Sequence, residues 1–205
     1  MNHKIIAIDG VGGAGKTTVA HLLALKLGAN LLPSGLLYRF LAWNITQEHS
    51  LKKALDHIQR LEFKIDSHQV IAQYQGKNIY DLLMHNQIGA IASKHIAQDP
   101  LVREALLPIQ RAFFSNNTLV CEGRDMASIV FPHCDLAIYL TATLSVRCER
   151  RGVALPEDQK MLEERDLQDM NRTVAPLTIH EKSHIIDTSQ ALPSNVVDHI
   201  MALTY

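Results

Sequence analysis

The stretch KIIAIDGVGGAGKTT, residues 4–18, decides the fold. KIIAIDG is a short, almost unbroken apolar run that stops at Asp-Gly, the pattern of a strand buried on both faces of a parallel sheet. The loop that follows, residues 10–18, fits GxxxxGK[ST], with Gly10, Gly15, Lys16 and Thr17 in the fixed places. VAHLLALKLG, residues 19–28, then continues as a helix. Strand, glycine-rich loop and helix in that order make a phosphate cradle. The glycines let backbone N–H groups turn inward, and the helix N-terminus favours the same anion. Lys16 is placed to reach the β- and γ-phosphates of a nucleoside triphosphate, and the Thr17 hydroxyl to ligate Mg²⁺. The residues expected on the nucleotide are Gly10, Val11, Gly12, Gly13, Ala14, Gly15, Lys16, Thr17 and Thr18.

Outward from this loop, strands and helices alternate. ANLLPSGLLYRFLAWN, residues 29–44, reads as a brief apolar strand, a Pro-Ser-Gly break and a helix carrying Arg39. TLVCEGRD (118–125), LAIYLTA (136–142) and HIIDTS (184–189) read as further buried strands. LVREALLPIQRAFF, residues 101–114, is a helix with Asp99 as N-cap, Pro100 in its first turn and Pro108 expected to kink it. Residues 51–98 change character: EFKIDSHQVIAQYQGKNI, residues 62–79, alternates polar and apolar residues as a small hairpin does, with helices after it. This segment is expected to be an insertion on the core. The whole predicts one α/β domain over residues 1–205, an open parallel sheet flanked by helices.

Composition excludes several classes. Twenty Lys+Arg against 21 Asp+Glu leave a formal charge of −1, so no global basic field points to a nucleic-acid or anionic-membrane partner. Cys121, Cys134 and Cys148 are odd in number and lack CxxC spacing, which reads as reduced thiols in a cytoplasmic protein. No leader or membrane-spanning run is expected in the sequence, and no apolar surface stripe argues against a monomer. The 11 histidines show no metal-ligand spacing and read as surface residues or satisfied partners.

A phosphate loop is shared by switches, motors and kinases, so other residues must decide the reaction. No NKxD-like guanine-reading segment follows a later strand. Arginines do recur at strand ends and on helices: Arg39, Arg103, Arg124, Arg147, Arg150, Arg151, Arg165 and Arg172. Any one of them alone would pass for a surface residue. Arg124 differs because strand C-termini in open α/β sheets point into the binding crevice. Within ERDLQDMNR, residues 164–172, Arg165, Asp169 and Arg172 share one helix face at i, i+4 and i+7. Phosphoryl transfer between two polyanions needs such cations to cancel repulsion, so a second phosphate site is the economical reading.

GVGGAGKTT, PSGLLYR (33–39), SKHIAQDPLVREALLPIQRAF (93–113), EGRDMASIVFP (122–132) and ERDLQDMNRTVAPL (164–177) together resemble the bacterial cytidylate kinases, P-loop kinases of nucleoside monophosphates, over nearly the whole chain. The resemblance implies transfer of a phosphoryl group from ATP, with Mg²⁺, to CMP or dCMP. It implies a base site at Ser93, Arg103 and Asp125, and sugar contacts at Arg165 and Asp169. Ser34, Arg39, Arg124 and Arg172 would lie at the acceptor phosphate, with Lys16, Arg39, Arg124 and Arg172 supplying the catalytic cations. Residues 51–98 would be the monophosphate-binding insertion. Residues 151–160 would be a short lid over ATP, with Arg147, Arg150 or Arg151 reaching the triphosphate and Arg150 the one assigned to it. The chain departs from the family pattern at Pro33, at Ala127, around Met84 and His85, and in its shorter lid. Another monophosphate or small metabolite as acceptor, or a regulatory nucleotide-binding ATPase, stays open on the residues alone.

Overall fold

The computed structural model describes residues 3–47, 49–67, 69–152 and 156–204. β1 (Ile5–Gly10) leads through the phosphate loop into α1 (Lys16–Leu27), which starts after the left-handed Gly15 (φ 88°). It ends at the left-handed Gly28, whose N–H donates to Leu25 O at 3.2 Å while Ala29 N–H reaches Ala24 O at 2.9 Å. β2 (Asn30–Pro33) and α2 (Ser34–Thr46) follow. α3 (Leu51–Ile58) is N-capped by the Ser50 hydroxyl. β3 (Leu61–Ile65), β4 (Val70–Tyr74) and β5 (Lys77–Asn78) form a small antiparallel sheet. α4 (Tyr80–Met84), α5 (Asn86–Ile91) and a π-helical turn over Ala92–Ile96 return the chain to the core.

α6 (Pro100–Arg111) is capped by Asp99, whose Oδ1 accepts from Leu101 N–H at 2.8 Å, and it runs through Pro108 to its last residue. Then come β6 (Leu119–Glu122), a second π-helical turn over Met126–Val130, β7 (Leu136–Thr141), α7 (Leu144–Arg150), α8 (Pro156–Asn171), β8 (Ser183–Asp187) and α9 (Pro193–Leu203). No helix among the described residues is long and apolar enough to cross a membrane.

Five of the described strands pair in parallel in the order β2-β6-β1-β7-β8. β1, β6 and β7 are buried along nearly their whole length, which is why they read as continuous apolar runs. β8 corrects the sequence reading: it is an edge strand, and Ile185 is 59 % exposed. It pairs with β7 on one side, and no described strand lies on the other. Pro33 ends β2 on the opposite edge, where a missing N–H leaves no ladder bond unmade.

The second sheet is fastened to the core through α2. Phe40 and Trp43 of α2 meet Tyr74 of β4 with ring centroids 4.9 and 5.9 Å apart, edge-on, each pair stabilising by about 0.5–1.5 kcal/mol beyond area burial. Because the large sheet is parallel, the C-terminal ends of β1, β6, β7 and β8 all open on one edge. Residues 10–15, 123–125, 142–143 and 188–192 therefore meet there.

Gly10 is the tightest point of that edge. Its φ is +146°, and a Cβ built on it would lie 2.0 Å from the Leu140 carbonyl oxygen, which β7 holds rigidly. Gly10→Ala must therefore break the β1–β7 pairing or move the loop. It is expected to lower stability by about 3 kcal/mol or more in urea denaturation. A midpoint within error of the wild type would show that the loop relaxes freely.

Candidate active site

The strand ends enclose a cleft of about 670 Å³ that runs from the phosphate loop to α2, α4 and α8. At its loop end Lys16 is folded back, its Nζ donating to Gly10 O at 2.9 Å and Val11 O at 2.8 Å. Arg124 donates to the same Gly10 carbonyl. Burial, reinforced by the nearby Arg124 charge, lowers the Lys16 ammonium to a pKa of about 7. Thr17 Oγ1 donates to Glu122 Oε1 at 3.3 Å, placing a hydroxyl and a buried carboxylate side by side. Glu122 ends β6, one position before the glycine that leads to Arg124, and its role was not read from the sequence.

Next in sequence to Arg124, which lines the cleft, a buried polar cluster is built around Asp125, which is 3 % exposed. Arg103 donates to its Oδ2, and Arg172 NH2 stands 3.6 Å from its Oδ1. Burial pushes the Asp125 carboxyl upward while these two guanidiniums pull against it. Arg103 is itself oriented by Ala97 O, at 3.1 Å, and by the Tyr38 ring, 5.5 Å from its guanidinium carbon. Ser93 sits on the first π-helical turn, and its buried hydroxyl has no partner among the described residues. Ser34 Oγ, at the start of α2, accepts from Gln110 at 3.2 Å.

Asp9 ties this pocket to the phosphate loop. Its carboxylate accepts the N–H groups of Met126 at 2.9 Å and Ala127 at 2.8 Å, so it caps the turn that follows Asp125. Burial raises Asp9 to a pKa of about 6 against the pull of those two N–H groups. In the sequence it is only the aspartate that stops a strand.

α8 brings its mixed charges together as the spacing predicted. Asp169 Oδ2 lies 2.8 Å from Arg124 Nε, and its Oδ1 lies 3.9 Å from Arg172. Arg172 Nε donates to the carbonyl of Ala175, a residue held at φ +50°. Arg165 lines the cleft, with its buried Nε unpartnered among the described residues. Burial, together with the charges of Arg124 and Arg151, lowers it to about 10. Arg39, from α2, donates to Leu83 O at 2.7 Å and His85 O at 3.4 Å, so the small insertion holds the one arginine that α2 sends into the cleft.

Three expectations change on contact with this geometry. The N–H of Gly12 is not turned to a phosphate: it donates to Asp166 Oδ1 at 3.0 Å. Arg147 is not free for a triphosphate, because it donates to Gly12 O at 3.0 Å, to Ala142 O at 3.1 Å and to Asp166 Oδ2. Arg150 also faces the loop, 3.5 Å from Gly13 O, held by Thr188 Oγ1 at 2.9 Å and Thr188 O at 2.6 Å. Thr188, missed in the sequence, also donates toward Ala14 O at 3.0 Å. Of the segment assigned as a lid, 153–155 lie outside the described residues, and Pro156 already begins α8.

Comparison with known proteins agrees with this arrangement. The cytidylate kinase family profile matches residues 6–205. The chain belongs to the cytidylate kinase family. Among curated relatives, the cytidylate kinase of Pseudomonas paraeruginosa (strain DSM 24068 / PA7) is 40 % identical over 215 residues, covering 96 % of this chain and 93 % of its own. That of Azotobacter vinelandii (strain DJ / ATCC BAA-1303) is 38 % identical, covering 97 % and 93 %. Among solved structures, shikimate kinase from Acinetobacter baumannii in complex with shikimate superposes with a TM-score of 0.51 at 15 % identity, covering 99 % of this chain and 93 % of that one. That likeness is of fold alone.

Two outcomes follow for this family member. At pH 8 to 9 Lys16 is largely neutral, and a polyphosphate beside it favours the ammonium. ADP binding is therefore expected to take up close to one proton per site, falling toward zero near pH 6. Titration calorimetry in buffers of different ionisation enthalpy reads this directly, and Lys16→Met should abolish the uptake. Separately, a Cβ on Gly89 would lie 2.6 Å from Arg39 NH2, the far end of a flexible side chain. Gly89→Ala should shift the melting midpoint by no more than about 3 °C while cutting kcat/KM for the acceptor about tenfold or more. Unchanged kinetics would remove Arg39 from the site.

Proposed function

We propose that the protein is an ATP:CMP phosphotransferase that converts CMP to CDP, and dCMP to dCDP, with Mg²⁺. The observation that carries this reading is the buried Asp125 between Arg103 and Arg172; the buried Ser93 hydroxyl, without a partner among the described residues, is free to join it. Cytosine offers an amino group at N4 and acceptors at N3 and O2, so a carboxylate facing N4, with Arg103 and Ser93 supplying donors, is complementary to it. A carboxylate with two guanidinium partners still has lone pairs to spare. Uracil would bring its O4 against Asp125, acceptor against acceptor in a dry pocket, a mismatch that discriminates by roughly 10³-fold or more.

The remaining cations divide between two phosphates. Arg39, Arg124 and Arg172 hold the acceptor phosphate, with Ser34 at the edge of its loop, and Arg165 and Asp169 take the sugar. Lys16 leaves the Gly10 and Val11 carbonyls for the β- and γ-phosphates, and Arg150 approaches the triphosphate from the opposite side. Mg²⁺, where bound, suits the hard oxygens of Thr17 and Glu122, and it would neutralise charge on the transferring group. The acceptor phosphate is already an oxyanion, so no general base is required, and positioning with charge neutralisation carries the rate.

The test is ADP release with ATP and Mg²⁺ on the wild type and on Asp125→Ala, comparing CMP, dCMP, UMP, AMP, dTMP and no acceptor. Turnover with CMP or dCMP alone is expected. Asp125→Ala should lose about 10²-fold or more in kcat/KM for CMP while ADP affinity holds. ADP release that ignores the acceptor would identify an ATPase, and strong turnover with another monophosphate would reassign the pocket.

A further inference from the structure

One buried polar contact of the phosphate loop involves a residue that none of the substrate roles above employs. Asp166 is 5 % exposed and lies one residue beyond Arg165, so it projects from α8 about 100° from Arg165 and about 60° from Asp169. Its two carboxylate oxygens are spent separately. Oδ1 accepts the Gly12 N–H at 3.0 Å, and Oδ2 accepts from Arg147. Arg147, 8 % exposed, closes a triangle by donating to Gly12 O at 3.0 Å. The approach leaves no room for adjustment. A Cβ on Gly12 would lie 3.2 Å from Leu162 and 3.3 Å from Asp166 Oδ1, and one on Gly13 would lie 3.0 Å from the Arg147 Cβ.

We propose that Asp166 is a positioning residue for phosphoryl transfer, registering the acceptor-holding helix α8 against the phosphate loop. The inference rests on the reading that α8 holds CMP. Through Asp166 and Arg147, both the N–H and the C=O of Gly12 are fixed to α8 and α7, so the loop that holds the donor and the helix that holds the acceptor form one rigid unit. The other tie between them runs through Arg124, which pairs with Asp169 and donates to Gly10 O, and Arg124 is assigned to the acceptor phosphate. Asp166 is the tie that stays in place when substrates bind. A shift of about 1 Å between donor and acceptor can cost on the order of 10²-fold in rate without altering either binding site.

Asp166→Asn tests this. Its amide oxygen can still accept from Gly12, but its NH₂ then faces the Arg147 guanidinium, donor against donor. The affinities of CMP alone and ADP alone, by calorimetry, are expected to stay within about threefold of the wild type while kcat falls on the order of 10²-fold. Ile200→Ala, in the buried contact between α9 and α1, supplies a variant of lowered melting temperature that should keep kcat within about threefold. The proposal is overturned if Asp166→Asn retains kcat, if it loses CMP affinity in step with kcat/KM, or if Ile200→Ala loses kcat as severely. Should Asp166→Asn fail to fold, Arg147→Lys asks the same question from the partner side, and an undiminished kcat there overturns the proposal equally. Asp169→Asn separates the two readings: unchanged CMP affinity in that variant removes the acceptor role of α8 itself, a result distinct from any outcome at Asp166.

Discussion

Guanidinium groups crowd one cleft of a chain whose formal net charge is −1, and their mutual repulsion is the constraint that the site is built to satisfy. Buried carboxylates are interleaved among them. Asp125 stands between Arg103 and Arg172, Asp169 between Arg124 and Arg172, and Asp166 against Arg147. Each pair costs desolvation of both partners, and a buried ion pair is in general no better for stability than a well-packed apolar substitute. Arg165 has a downward-shifted pKa and a buried nitrogen without a partner among the described residues, so the compensation there is incomplete. Positive charge therefore remains for a polyanion to neutralise, in keeping with the proposed phosphate sites.

The phosphate loop is the hub through which these pairs reach one another. Gly10 O takes Lys16 and Arg124, Gly12 takes Asp166 and Arg147 on its two polar atoms, Gly13 O faces Arg150, and Ala14 O receives Thr188. These side chains come from the ends of β6 and β8 and from α1, α7 and α8. A parallel sheet makes that convergence possible, since its strand C-termini share one edge. The usual account of such a loop concerns its N–H groups; in this chain its carbonyls carry as much of the organisation. Lys16 and Arg124 both spend hydrogen bonds on the loop that a phosphate could replace with charge-assisted ones.

Much of this was legible in the sequence because it depends on local pattern. The strand-loop-helix unit, the Asp99 cap, the shared face of Arg165, Asp169 and Arg172, and the exposure of Arg124 at a strand end all follow from spacings of a few residues. Asp166 was not legible, because its partner Gly12 is 154 positions away and nothing local distinguishes it from a solvated charge in a charged helix. Arg147 misled for the same reason: three basic residues near one helix end look alike until the loop carbonyls are in place. β8 was read as buried because Ile-Ile is apolar, yet periodicity reports what a strand could bury and not whether a neighbour exists to cover it. The π-helical turns, which carry Ser93 and follow Asp125, have no signature in one sequence.

The division of labour between the two aspartates of the RD…D segment shows how one helix can serve binding and geometry at once. Asp169 shares its carboxylate between Arg124 and Arg172, both assigned to substrate, so its surroundings must change when CMP arrives. Asp166 faces only the loop and Arg147, groups whose positions the sheet fixes through Ala142 O and Gly12. A residue that meets substrate has to tolerate rearrangement, whereas one that sets the distance between donor and acceptor has to resist it. The two lie about one turn apart on the same helix, Asp169 paired with Arg124 and Arg172 and Asp166 with Gly12 and Arg147, so the first can adjust without breaking the partners of the second.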